Sequence, residues 1–222
     1  MATEQRYMNT IAIMFVVGCF LLASGDRASS ASNELAQPQF VYKTVGERKL
    51  MLDLDYPPGW KPADKRPAMV FFFGGGWTQG TPNQFTPQAK YFAKRGLVCV
   101  RADYRLRGKD SVQIDKCVED ARSAMRWVRS HAAQLGIDPN RIVAAGGSAG
   151  GHLAACTFFA GEINAPNDDQ SISPQPNAMV LYNPVLDLVK LRGNKYHSLV
   201  ADMDDTVLKQ ISPSFHVTKE ML

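Results

Sequence analysis

Apolar residues fall into short runs that alternate with amphipathic stretches. Residues 40–45 and 50–56 alternate apolar and polar side chains on either side of a Gly-containing turn, which predicts an antiparallel hairpin. Four continuous apolar runs predict strands that are covered on both faces. These runs are residues 69–73, 97–100, 142–145 and 178–182.

Helical patterns separate these predicted strands. Apolar residues recur at helical spacing over 111–135, which predicts a long amphipathic helix. Shorter helices are predicted over 87–95 and from 149 to about 161. Two polar stretches complete the chain: a loop with three prolines at 162–176, and an irregular segment with one short helix at 187–222. Strands that alternate with helices predict an α/β fold, in which helices cover both faces of a mostly parallel sheet.

The N-terminus has a different composition. Arg6 precedes an apolar run at 11–22 and then small residues, which together predict a secretory signal peptide over 1–31 and a secreted or periplasmic protein. Cleavage after Gly25 or after Ala31 is compatible with the pattern, and the second is favoured. Two alternatives remain: an uncleaved anchor, for which the run is short, and a lipoprotein anchored at Cys19, against which the apolar residues that continue past it argue. Residues 32–222 are then predicted to form a single domain.

Composition narrows the function classes. The 222 residues are 45% apolar and have a net charge of +4 with no basic run, so nucleic-acid binding has no support. No apolar run after the signal is long enough to span a bilayer.

Three cysteines, Cys99, Cys117 and Cys156, have apolar neighbours, which predicts buried thiols. One disulfide in an oxidising compartment is also compatible with the sequence. No Cys/His spacing indicates zinc, and the oligomeric state is not determined.

A glycine-rich hexapeptide, residues 146–151, separates the predicted strand 142–145 from the next helix. Its Gly-x-Ser-x-Gly pattern, centred on Ser148, lies in the strand–turn–helix context of a nucleophile elbow. A serine at that turn has a strained backbone, so the positions two before and two after it must lack side chains. A simple glycine-rich turn is the alternative. A phosphate-binding loop is disfavoured, because no Gly-Lys-Ser/Thr follows.

An acyl-transfer nucleophile also needs an oxyanion hole. One donor is predicted to be the N–H of Ala149, directly after the serine. Others are predicted in the loop that follows strand 69–73, which consists of Gly74, Gly75 and Gly76. Glycines let a backbone turn its N–H groups toward a substrate oxygen without obstruction. We call residues 74–76 the glycine bend and residues 146–150 the elbow.

Four motifs in order resemble the α/β-hydrolase esterases, in the hormone-sensitive-lipase-like and feruloyl/acetyl-xylan esterase-like branch often called acetyl esterase/lipase. The motifs occupy residues 73–77, 103–105, 136–142 and 147–152, and the resemblance covers about 40–220. It implies hydrolysis of carboxylic esters of small acyl groups, among them esters on carbohydrates, with Ser148 as nucleophile. It also implies oxyanion donors from Gly75, Gly76 and Ala149, and neither cofactor nor metal.

The chain departs from this family at two places. Many relatives have histidine where Phe73 stands. Because the proposed donors are backbone groups, the change is expected to affect loop support or the acyl pocket rather than to abolish the hole.

In relatives the acid and base come after two further strands, whereas this chain ends at Leu222. We therefore expect a C-terminally truncated α/β-hydrolase that lacks its last strands, is nearly inactive and, with strand 178–182 as an exposed apolar edge, is poorly soluble.

Residues already present offer only a weak substitute for the missing acid and base. The order Ser148, Asp187, His216 is formally that of a triad, but a triad is decided by geometry. His152 is predicted to be a packing or hydrogen-bonding residue, His131 a surface residue. Asp103 and Asp120 are predicted to cap or pair within the fold.

Two other functions remain open. The first is a truncated or non-catalytic α/β-hydrolase that binds a carbohydrate or a protein, although a binding module has no need of an exposed serine on a strained turn. The second is a serine peptidase of similar fold. Such peptidases usually have an extra domain, for which this chain has no room.

Overall fold

A six-stranded mixed sheet forms the centre of residues 38–219, the part of the chain that the computed structural model describes. The strands lie in the order β1-β2-β4-β3-β5-β6. β1 pairs with β2, and β2 with β4, in antiparallel ladders, whereas β4, β3, β5 and β6 are parallel to one another. The strands are β1 Gln39–Val45, β2 Arg48–Asp55, β3 Arg66–Phe72, β4 Val98–Ala102, β5 Ile137–Gly147 and β6 Ala178–Tyr182.

Within residues 38–219, five α-helices connect or follow these strands. They are α1 Thr86–Ala93, α2 Arg107–Asp110, α3 Ile114–Ser130, α4 Ala149–Phe159 and α5 Asp205–Gln210. The amphipathic α3 packs against α4 and β1, and the largely apolar α4 packs against β5, β3 and β6. The leading hairpin and the four predicted strands are thus confirmed, and the arrangement is that of an α/β-hydrolase. The signal peptide predicted over 1–31 lies outside the described residues.

Two predicted elements have bounds that differ most from the structure. The helix predicted over 111–135 spans only Ile114–Ser130. It starts late because Ser111 is left-handed (φ 52°) and separates α3 from the short α2. The strand predicted over 142–145 begins earlier, at Ile137. Ile137 pairs with Arg66, the register then shifts, and the regular ladder resumes at Ile142. The stretch between Ile137 and Ile142 is polar, so the apolar pattern does not predict this early pairing.

The two polar stretches have the structure that the sequence predicts. Residues 162–176 contain neither helix nor strand. Within 187–219, three 3-10 turns accompany the single short helix α5. The Asp204 carboxylate caps α5 by accepting a hydrogen bond from the Thr206 N–H, at 2.7 Å. No helix among residues 38–219 is long and apolar enough to cross a membrane.

The three cysteines of the described chain are buried free thiols, as predicted. Cys99 lies in β4, Cys117 in α3 and Cys156 in α4. Burial raises the pKa of all three, so the thiolate is disfavoured. These side chains behave as small core residues.

The sheet ends in two unlike edges. The edge strand β1 alternates exposed and buried positions and includes Lys43, which forms an ion pair with Asp120 at 2.7 Å. The edge strand β6 is apolar, with Met179, Val180 and Leu181 only half-buried. An apolar edge strand of this kind can pair with other chains. Poor solubility stays a prediction.

Candidate active site

Ser148 occupies the turn between β5 and α4. Its backbone has φ 54° and ψ −118°, a region that non-glycine residues rarely adopt. Such a conformation costs on the order of 1–3 kcal/mol and persists only where the surroundings impose it. The Ser148 residue is exposed, at the N-terminus of α4. The strained turn and the accessible serine match the nucleophile-elbow prediction.

Backbone contacts impose this turn. A Cβ atom at Gly146 would overlap the carbonyl oxygen of Gly150. A Cβ atom at Gly150 would overlap the carbonyl oxygens of Phe72 and Phe73, where β3 ends. Only glycine is compatible with these positions, which confirms the steric prediction for the residues two before and two after Ser148.

The glycine bend lies directly against the elbow. A Cβ atom at Gly74 would stand 2.8 Å from the Gly147 carbonyl oxygen and 3.5 Å from the Ser148 Cβ. Gly75 and Gly76 have φ values of 131° and 61°, so the bend depends on their freedom to adopt left-handed backbone. The two segments that the sequence predicts as nucleophile and oxyanion loop therefore meet.

Three backbone N–H groups at this junction have no acceptor among the residues that the structure describes. The Gly75 carbonyl accepts hydrogen bonds from Thr78 N–H at 3.1 Å and Gln79 N–H at 3.2 Å. In a trans peptide the N–H points away from the C=O, so the Gly76 N–H points out of that turn. Likewise the Ser148 carbonyl accepts the His152 N–H at 3.0 Å, which directs the Ala149 N–H out of the helix N-terminus. Within residues 38–219, the N–H groups of Gly75, Gly76 and Ala149 have no acceptor.

Side chains distant in sequence hold the bend. Gln84 Oε1 accepts the Gly74 N–H at 2.7 Å, and the Tyr104 hydroxyl donates to the Phe73 carbonyl at 2.7 Å. The buried Trp77 Nε1 donates to His152 Nδ1 at 3.2 Å. Sequence reasoning did not identify the roles of these residues, because no local pattern shows that a glutamine ten positions after Gly74 folds back onto it.

Phe73 contributes to the same support. Its ring is buried and stacks on Tyr104, with ring centroids 4.2 Å apart and planes at 19°. The edge of the Phe73 ring also occupies the position that a Cβ atom at Gly80 would take. Phe73, which stands where many relatives have histidine, therefore supports the loop. Loop support is one of the two consequences predicted for this difference.

His152 cannot serve as the base. It is fully buried, and its Nδ1 accepts from Trp77 while its Nε2 donates to the Ile211 carbonyl at 2.6 Å. Burial lowers the pKa of His152 to about 4, even though the bond to Ile211 acts in the opposite direction. A neutral imidazole with both nitrogens occupied is a packing and hydrogen-bonding residue, as the sequence predicted.

The formal alternative triad is not assembled by hydrogen bonds. The Asp187 carboxylate accepts the Lys190 N–H at 3.2 Å, and His216 Nε2 bonds to the Gln210 carbonyl at 2.9 Å. Within residues 38–219, no histidine or carboxylate forms a hydrogen bond with the Ser148 hydroxyl. His131 stacks on Trp127, with centroids 3.9 Å apart, and is partly buried rather than fully at the surface.

The two aspartates considered above pair within the fold, as predicted. Asp103 accepts from Arg48 at 2.7 Å, and burial raises the pKa of its carboxyl. The fully buried Asp120 forms ion pairs with Arg105 and Lys43, both at 2.7 Å. The motif at 103–105 is therefore a structural brace beside the bend.

A family model described as BD-FAE matches residues 52–221, which is more than half of the chain. The chain belongs to the BD-FAE family. The apo form of Thermogutta terrifontis esterase 2 is similar to this BD-FAE chain at 52% identity, with a TM-score of 0.75, over 81% of this chain and 66% of that one. The same esterase phosphonylated by sarin is similar at 49% identity and a TM-score of 0.76, over 81% and 67% of the two chains.

A curated relative of the chain is also an ester hydrolase. Carboxylesterase NlhH of Mycobacterium tuberculosis is 37% identical to the BD-FAE chain over 116 residues, which are 51% of this chain and 35% of that protein. The chain thus spans about two thirds of the solved esterase and about a third of the curated one. The family and these relatives are those of carboxylic ester hydrolases with an α/β-hydrolase fold.

Proposed function

We propose that the protein is a serine esterase, with Ser148 as nucleophile and the N–H groups of Gly75, Gly76 and Ala149 as the oxyanion hole. One observation carries the proposal: the exposed Ser148 stands on a strained turn directly against the glycine bend, where those N–H groups have no acceptor within residues 38–219. Unpaired donors at that position suit an oxygen that becomes negative during reaction.

The residues would act as follows. Ser148 Oγ attacks the acyl carbon, and the carbonyl oxygen of the substrate accepts hydrogen bonds from the bend and from Ala149 as its charge develops. The partial positive charge of the α4 N-terminus adds to this stabilisation. Collapse of the tetrahedral intermediate breaks the bond to the alcohol oxygen, which takes up the proton that Ser148 Oγ lost, and leaves an acyl-enzyme. Water then attacks the acyl carbon, a proton of that water returns to Ser148 Oγ, and the acid is released.

The proton of Ser148 Oγ needs a base in the first step. We assign none within residues 38–219, because His152 is occupied at both nitrogens and the other histidines hydrogen-bond elsewhere or stack. Loss of a triad member costs about 10⁴- to 10⁶-fold in a well-studied protease. The 222-residue chain is therefore proposed to react slowly at Ser148.

Substrate class and location belong to the same proposal. We infer that the substrates are esters of small acyl groups, with esters on carbohydrates among the candidates. We also infer that residues 1–31 direct export. The names of the relatives support ester hydrolysis in general, and the family resemblance of the motifs supports the finer choice.

Covalent labelling tests the nucleophile. We expect a fluorophosphonate to modify the chain once, at Ser148, as located by peptide mass spectrometry; the similar Thermogutta esterase, which sarin phosphonylates, makes the reagent appropriate. Ser148→Ala should abolish labelling. Ser214→Ala, at an exposed serine, is the matched control and should label like the wild type.

One alternative has an observation in its favour. A non-catalytic binding protein would explain why no base is hydrogen-bonded to Ser148 within residues 38–219. Such a protein would leave the fluorophosphonate unreacted even after long incubation. That result, with a folded chain by circular dichroism, would reject the esterase proposal.

A further inference from the structure

Gln84 connects the turn Pro82–Phe85 to the glycine bend. Its Oε1 accepts the Gly74 N–H at 2.7 Å. A Cβ atom placed at Gly74 would lie 3.5 Å from this oxygen and 3.5 Å from the Ser148 Cβ. The amide of Gln84 is therefore close to the serine, on an exposed residue at the border of the candidate site.

The turn that carries Gln84 is itself fixed to the sheet. The Arg101 guanidinium in β4 donates to Asn83 Oδ1 at 3.2 Å and to Thr86 Oγ1 at 3.1 Å, on either side of Gln84. Phe85 is buried and stacks on Phe71 of β3, with centroids 5.2 Å apart. Gln84 thus reaches the bend from a rigid support, which is what a positioning group requires.

The hydrogen bond of Gln84 selects which N–H groups of the bend remain available. The first one, on Gly74, is consumed by Oε1, whereas those on Gly75 and Gly76 have no acceptor within residues 38–219. Glycine backbone has few steric restraints of its own, so a bend of three glycines needs an external contact to keep one conformation. Without Gln84, the first peptide of the bend would lose its contact at the Gly74 N–H and keep only the Tyr104 hydroxyl on its Phe73 carbonyl.

We propose that Gln84 is a positioning residue of the oxyanion hole. Its Oε1 fixes Gly74 and thereby aims the N–H groups of Gly75 and Gly76 at the oxygen that becomes negative. The inference rests on the proposed function, because it assigns a support to that same hole. A misplacement of about 1 Å at such a site can cost on the order of 100-fold in rate.

Gln84→Met tests the inference, because methionine preserves length and removes the acceptor. We expect the second-order rate constant for phosphonylation of Ser148 to fall about 10- to 100-fold. The amide proton of Gly74 should also exchange faster with solvent, as measured by NMR. Gln88→Met makes the same chemical change at an exposed site on α1 and should leave both readouts at wild-type values.

Gln84→Glu separates positioning from general stability. A carboxylate still accepts the Gly74 N–H but places a negative charge beside the developing oxyanion. We expect the ratio of its labelling rate to that of the wild type to be low at pH 8 and to rise toward pH 5, as the carboxyl becomes protonated. A merely structural side chain would give one ratio at both pH values, and that result would overturn the inference.

The outcomes distinguish the two proposals. If the wild type is labelled and Gln84→Met reacts equally fast, the role of Gln84 is overturned and the esterase proposal stands. If the wild type is not labelled, both fall. If Gln84→Met does not fold by circular dichroism, the two pH values with Gln84→Glu decide the question.

Discussion

The elbow and the glycine bend touch each other but are held by different means. The elbow is fixed by backbone against backbone, since Gly146 and Gly150 have no room for a Cβ atom. The bend has backbone contacts of its own, since the Gly75 carbonyl accepts from Thr78 and Gln79, but it also depends on side chains. These are above all Gln84, Tyr104 and the Trp77–His152 pair. Steric exclusion is all-or-none, whereas hydrogen bonds can be removed one at a time. Substitution of an elbow glycine should therefore abolish the elbow, whereas loss of one of these side chains should only weaken the bend.

Gly150→Ala should have the largest effect. Its Cβ atom would overlap the carbonyl oxygens of Phe72 and Phe73, and these belong to the backbone at the end of β3, which cannot yield as a side chain can. We expect a loss of more than about 4 kcal/mol in the free energy of unfolding, or no folded protein. Urea denaturation followed by circular dichroism measures it.

The matched control is Gly161→Ala, the same change beyond the end of α4. A Cβ atom at Gly161 would meet nothing within 4 Å, so the free energy of unfolding should change by less than about 0.5 kcal/mol. Equal stabilities for the two variants would show that the elbow is not held by backbone exclusion.

The pH dependence of stability tests the support of the bend. Burial holds the pKa of His152 at about 4, below its ordinary 6.5. The unfolded chain therefore binds more protons than the folded one between these values. The stabilisation from neutral His152 is complete above pH 6.5 and is lost as the pH falls through 4. Between pH 7 and pH 5 the group should remove about 2 kcal/mol from the free energy of unfolding.

His152→Gln isolates this contribution. Glutamine offers an acceptor to Trp77 and a donor to the Ile211 carbonyl but does not titrate. The variant should lose less stability than the wild type between pH 7 and pH 5, as measured by urea unfolding at both values. Parallel losses in the two proteins would mean that His152 becomes protonated without cost, and that its burial against Trp77 is not maintained.

The difference between the elbow and the glycine bend also explains which features the sequence predicts well. The elbow depends on residues adjacent in the chain, so the spacing of Gly146, Ser148 and Gly150 was enough to predict its backbone and its place between β5 and α4. The sheet followed from apolar runs for a similar reason, because each run forms its own strand. The meeting of bend and elbow could also be predicted, since both follow the carboxyl ends of parallel strands.

The supports of the bend could not be predicted in this way. Gln84 is polar and no local pattern distinguishes it. Its bond to Gly74 comes from a turn that Arg101, distant in sequence, holds on either side of Gln84. Likewise nothing local to His152 predicts that the carbonyl of Ile211, 59 residues later, accepts a hydrogen bond from its imidazole. Long-range hydrogen bonds depend on packing, and packing has no fixed spacing in the sequence.

Tyr104→Phe should give the smallest of these effects. It removes the hydroxyl that donates to the Phe73 carbonyl at 2.7 Å, while the stacked ring remains. Loss of this hydrogen bond should lower the free energy of unfolding by about 1 kcal/mol, as measured by urea unfolding. Tyr91→Phe is the control, because Tyr91 is 52% exposed and its hydroxyl has no hydrogen bond within residues 38–219. If both variants unfold like the wild type, the hydroxyl of Tyr104 does not brace the end of β3, and Gln84 and Trp77 alone hold the bend against the elbow.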